Sequence, residues 1–149
     1  MSFFTRQVAP DGGLIINAVV GVSDARHNAL AAANLPTPAP IPILAMIDTG
    51  ASCTCVDPTI LQQLGLTPTG SAAVHTPTTG PSPAMVDQYD IGILIPTDLA
   101  SPPLLHLTIP VIAADLLVCQ GFHALIGRDI LAGCHLTYDG KSGLFTLAY

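Results

Sequence analysis

Charge is scarce in this chain. Of 149 residues only 9% are charged; the acids are ten Asp with no Glu, and Lys plus Arg number four. Four scattered basic residues cannot build the cationic surface that a phosphate backbone requires, so nucleic acid is not an expected partner. No apolar run reaches the length of a membrane span, because Pro, Gly and Asp interrupt each one; no membrane partner is expected. The start, Met1-Ser-Phe-Phe-Thr-Arg-Gln7, lacks a basic segment followed by an apolar stretch, which reads as a cytoplasmic chain. Cysteine is sparse as well: Cys53, Cys55, Cys119 and Cys134. Reduced thiols are the expectation. Their spacing, even with His135 added, matches no standard zinc pattern, and the other histidines form no short ligand motif. Buried apolar cysteine fits better, so neither metal nor cofactor is expected.

What remains is apolar: half of the residues are hydrophobic. That excludes a disordered chain, and the length suits one domain with a real core. So few charges fit a surface that is partly covered, as in an oligomer. Strand-like runs recur at residues 14–22, 41–47, 85–95, 104–111, 116–119, 124–127 and 144–149. Residues 23–40 form a polar, then Pro-rich connection in which residues 25–34 can make a short helix. Asp57-Pro58 opens another, with Asp as N-cap, Pro at the first helical position, Leu61 and Leu64 inward, and Gly65 as the stop. Residues 73–95 read as a long hairpin with its tip at Thr78-Thr-Gly-Pro81.

Five residues, Asp48-Thr49-Gly50-Ala51-Ser52, follow the apolar run Ile41-Pro-Ile-Leu-Ala-Met-Ile47. A lone carboxylate at the end of a buried strand loses solvation for no packing gain. It makes sense if a second carboxylate meets it and the two share a proton. The chain holds one Asp-Thr-Gly, so the second must come from another molecule. A turn is the simpler reading of the tripeptide alone. Its setting, between two strand-like runs and before a short helix, is more specific.

Further along, Leu125-Ile-Gly-Arg-Asp-Ile-Leu131 is an apolar strand running into Gly, then Arg-Asp, then a short helix ended by Gly133. Between the two motifs lies Gln88-Tyr89-Asp90 followed by Ile91-Gly-Ile-Leu-Ile95. In order and spacing, residues 12–149 resemble the retroviral-type aspartic proteases, the retropepsins. The resemblance implies an all-β fold over residues 1–149: a single-domain closed β-barrel with a flap hairpin at about 73–95 and one or two short helices, active as a homodimer.

It also implies an aspartic endopeptidase that hydrolyses peptide bonds between hydrophobic residues. Water would be activated between two Asp48 carboxylates, one per subunit. Thr49 would hydrogen-bond across the dimer axis, and Gly50 would let the backbone approach the carboxylates. Ala51 cannot donate the extra hydrogen bond of a Ser or Thr, which predicts a rate maximum at about pH 5–6. Substrate, a peptide or protein, would lie as an extended strand against Ala51, Thr79, Gly80, Leu125 and Ile126. Arg128 would brace the active-site turn. Ser52 and Cys53 stand where many viral relatives carry an acid, which leaves Arg128 without an evident partner. Pro77, Pro81 and Pro83 replace the glycine-rich flap tips of many relatives and stiffen the hairpin. The C-terminal strand is expected to pair across the dimer. Two other classes stay open: a catalytically silent dimerisation or peptide-binding module on the same fold, and a metal- or redox-binding β-protein using the cysteines.

Overall fold

The computed structural model describes every residue except 76–78, 80, 98–100 and 116–117. In chain order it begins with β1 (Phe3–Gln7), β2 (Ile15–Val22) and α1 (Asp24–Ala32). Then come β3 (Ile41–Ile47), β4 (Cys55–Val56), α2 (Pro58–Gln63) and β5 (Gly70–Val74). The second half holds β6 (Ala84–Ile95), β7 (Leu104–Ala113), β8 (Ala124–Ile126), α3 (Arg128–Leu131), β9 (His135–Asp139) and β10 (Leu144–Ala148).

Period-two alternation makes the core. Ile16, Ala18 and Val20 of β2, Ile43, Ala45 and Ile47 of β3, and Ile91, Ile93 and Ile95 of β6 all point inward and are buried. The strands pair in the order β2-β3-β8-β4-β7-β6, and β6 returns to β2, closing a six-stranded barrel. Closure leaves no open edge in this ring. β8 lies between β3 and β4, parallel to β3 and antiparallel to β4, while β4 runs parallel to β7. This crossing brings the two sequence motifs side by side.

The helix at residues 57–65 forms as its signals require. Asp57 Oδ1 accepts the Thr59 N–H at 2.8 Å, and Gly65 takes φ +63° at the stop. Leu61 and Leu64 are buried. The described residues hold three α-helices rather than one or two. α1 occupies the 23–40 connection; Ser23 caps it and none of its residues is buried. Local capping, not core packing, makes this helix.

Two expectations fail. Of the strand expected over 116–119, residues 116–117 lie outside the described residues and 118–119 are not strand: Val118–Gln120 is a 3-10 turn closed by Gly121 N–H to Val118 O, 3.0 Å, with Gly121 at φ +86°. The turn closure overrides the apolar run. The C-terminal strand also differs. β10 lies in the middle of a three-stranded sheet, β1-β10-β9, with both of its edges paired inside the chain. As placed, β10 has no free edge for a partner; the sheet's edges are β1 and β9. The hairpin read over residues 73–95 starts three residues earlier, with Gly70 opposite Gln88 and Val74 opposite Ala84.

Candidate active site

β3 delivers Asp48 to the end of the barrel. Asp48 N–H donates to Ile126 O at 3.0 Å, carrying the β3–β8 pairing one residue past the strand. The chain then turns on itself: Gly50 N–H donates to Asp48 Oδ1 at 2.8 Å and Ala51 N–H to Asp48 O at 3.3 Å. A Cβ on Gly50 would sit 3.1 Å from Asp48 Oδ1, so glycine keeps that approach open. Asp48 and Ala51 are half-buried; Thr49 and Gly50 are exposed. No cation pairs with Asp48 among the described residues.

Behind this turn the second motif is pressed against the first. A Cβ on Gly127 would meet the Cys53 carbonyl carbon at 2.5 Å, its oxygen at 2.6 Å and Thr54 N at 2.9 Å. Only a residue without a side chain fits between those backbones. Arg128 N–H donates to Ala51 O at 3.0 Å. Thr54 is fully buried and acts as a strut. Its Oγ1 donates to Asp129 Oδ1 at 2.8 Å and accepts the Gly127 N–H at 3.1 Å, while its N–H donates to Asp129 Oδ2 at 2.7 Å. Asp129 Oδ1 also accepts the Ile130 N–H at 2.9 Å.

The bracing role expected of Arg128 therefore belongs, in side-chain terms, to Asp129. The Arg128 guanidinium is exposed and has no hydrogen-bond or ionic partner among the described residues. Consecutive residues at a helix start point in different directions. Here Asp129 turns back toward Thr54, while Arg128 faces a surface depression with Thr49, Leu131, Ala132 and Leu136. The motif containing Asp129 was legible, but its partner Thr54 was not. A Thr between two cysteines in an apolar stretch was the available signal.

The two expected floor residues separate. Ile126 is fully buried in the barrel core, whereas its neighbour Leu125 is half-buried outside that core. Successive strand residues face opposite sides, so both cannot line one floor. Leu125 joins a second apolar cluster with Met46, Cys55, Ile112 and Phe122. The hairpin residues Ala72, Val74 and Val86 pack on the same cluster. An apolar wall thus runs from the base of the hairpin to the strand that carries Asp48. At the hairpin tip Thr79 is a half-buried turn residue, and Gly80 lies outside the described residues.

Cys55 is buried; this desolvation, with Cys53 beside it, pushes its thiol up to about 12. No group of three or more His, Cys or Asp side chains able to hold a metal occurs among the described residues.

The closed barrel, the hairpin over one end and the crossed pair of motifs make the fold that of the retropepsin-like aspartic proteases. The chain is similar to the crystal structure of a retropepsin-like aspartic protease from Rickettsia conorii. The two share 21% sequence identity and a TM-score of 0.61, over 99% of this chain and 91% of that one. At this identity the likeness establishes the fold. No family model matches the chain, and no curated protein matches it significantly.

Proposed function

We propose that the chain is an aspartic endopeptidase that works as a homodimer, with one Asp48 from each copy at a two-fold axis. The observation that carries this reading is Asp48 itself. It is held by its own turn at the barrel end, half-buried and without a cation among the described residues, on a fold used by aspartic proteases. A single copy has one such group, and an isologous dimer supplies the second.

Two carboxylates about 3 Å apart do not both ionise readily, so the pair holds one proton. The ionised member takes a proton from the water between them, and that water's oxygen attacks the scissile carbonyl carbon. The protonated member hydrogen-bonds to the carbonyl oxygen and gives up its proton as the tetrahedral adduct forms. Collapse of the adduct breaks the C–N bond. The amine leaves with the proton held by the first carboxyl group, while the other carboxylate takes a proton from a hydroxyl of the adduct, so the dyad again holds one proton. The two macroscopic pKa values belong to the pair. Thr49, exposed at the turn, reaches the partner copy. Substrate lies extended between the β5–β6 hairpin and the apolar wall, with Ala51 and Leu125 on the floor side and Thr79 on the hairpin side. The wall's chemistry favours hydrophobic residues about the cut.

The test uses a mixed peptide library at about pH 5, a mildly acidic value matched to a one-proton dyad. Wild type should cleave and Asp48→Asn should not. In an equal mixture, random exchange leaves about one quarter of dimers with two intact carboxylates, so turnover per wild-type chain falls to about half. Undiminished turnover per chain refutes a shared site. Peptide binding without cleavage at any pH marks a silent binding module instead.

A further inference from the structure

A cavity of about 470 Å³ opens beside the apolar wall, lined by Asp11, Gly12, Gly13, Met46, Gln120 and Phe122. Met46 lies on β3 two residues before Asp48 and pairs in register with Leu125 on β8 and Ile15 on β2. The cavity therefore adjoins the strand that carries the candidate catalytic carboxylate. Its inner side is apolar: Phe122 is buried and packs, with Met46, in the cluster that holds Leu125. Its outer side is the turn between β1 and β2. Gly12 sits there at φ +88°, and neither Gly12 nor Gly13 carries a side chain that could fill the space.

The charge in this cavity is of one sign. Asp11 is its single ionisable lining residue. Asp11 Oδ1 accepts the Gly13 N–H at 3.0 Å, which fixes the carboxylate on the rim. Oδ2 meets no donor among the described residues. An apolar wall that ends in a fixed, half-used carboxylate matches a side chain with a hydrocarbon stem and a cationic head.

Resting on the peptidase reading, we infer that this cavity is a substrate subsite for Lys or Arg, with Asp11 as its specificity determinant. One position near the scissile bond then prefers a basic residue, while the positions against Leu125 prefer apolar ones. An exposed ion pair of this kind supports a preference of about threefold to fivefold at low ionic strength. Because it is exposed, the preference shrinks as salt is added.

The experiment scans each position of a cleavable peptide with Lys and with norleucine, which has the same four-carbon stem but lacks the ammonium group. Cleavage is read as kcat/KM, and binding as fluorescence anisotropy, for wild type and Asp11→Asn. Asn keeps the Oδ1 acceptor for Gly13 N–H, so the turn survives. The expected result is one position with a Lys-to-norleucine ratio of about three to five in wild type, falling to about one in Asp11→Asn and in high salt. No such position, or a ratio unchanged by Asp11→Asn, overturns the inference. Loss of Asp48-dependent cleavage counts against the peptidase reading alone, because the binding ratio still decides the role of Asp11.

Discussion

Replacing Thr54 by Val tests the strut behind the active-site turn. Val has nearly the shape of Thr and is β-branched in the same way, so the change is chiefly the loss of a hydroxyl. That hydroxyl gives one hydrogen bond to the Asp129 carboxylate at 2.8 Å and receives one from the Gly127 N–H at 3.1 Å. A bond to a charged acceptor contributes about 2 kcal/mol, and a buried N–H left without an acceptor costs about 2 kcal/mol. Burial of the new methyl returns about 0.8 kcal/mol. The expected loss is about 3 kcal/mol, or about 6–12 °C in Tm for a chain of this size. The assay is urea unfolding followed by circular dichroism at one fixed protein concentration, because association would make the midpoint concentration-dependent. Asp129→Ala alone and with Thr54→Val completes a cycle; direct contact should give a coupling of about 1–2 kcal/mol. Arg128→Ala is the control and should cost under about 0.5 kcal/mol, since its side chain is exposed and unpaired among the described residues. A Thr54→Val loss below about 0.5 kcal/mol, or a larger loss for Arg128→Ala, refutes the assignment of the brace to Asp129.

Deleting residues 144–149 removes three buried side chains, Phe145, Leu147 and Ala148, and both pairings of β10. It should abolish cooperative unfolding in circular dichroism rather than yield a folded monomer; a cooperative, native-like spectrum would contradict this. Burial and Cys53 raise the Cys55 thiol to about 12, so almost no thiolate is present at about pH 8. Exposed Cys119 should therefore take up iodoacetamide long before Cys55, as mass spectrometry of timed samples would show. In the β9–β10 turn the Ser142 hydroxyl, then the Ser142 and Lys141 N–H groups, hold the Asp139 carboxyl below the usual carboxylate range. Its folded-state value is depressed, so its contribution is present above the unfolded value and lost as pH falls through the lowered one. Asp139→Asn should flatten that acid limb of the urea midpoint against pH; an unchanged limb would refute the link.

How much was legible follows from how far apart the deciding residues lie. Asp57-Pro58 and Gly65 state a helix because capping acts within one turn. Residues 41–47 and 91–95 state inward and outward faces because strands alternate. The Asp48 turn was visible because its hydrogen bond spans two residues. Alternation also required Leu125 and Ile126 to face opposite ways, but not which one faces the core. The barrel's closure decided that, by placing Ile126 inside.

By itself, then, the sequence determined the elements whose causes are local: caps, turns, alternating strands and the two motifs. The tertiary structure decided what pairs with what. Thr54 and Asp129 lie 75 residues apart, and only the insertion of β8 between β3 and β4 brings them within 2.8 Å. β10 was readable as a strand, but its neighbours were not: a strand's backbone donors and acceptors pair equally well with any edge. The packing of Phe145 and Leu147 into the core set that choice, placing β10 between β1 and β9 of the same chain.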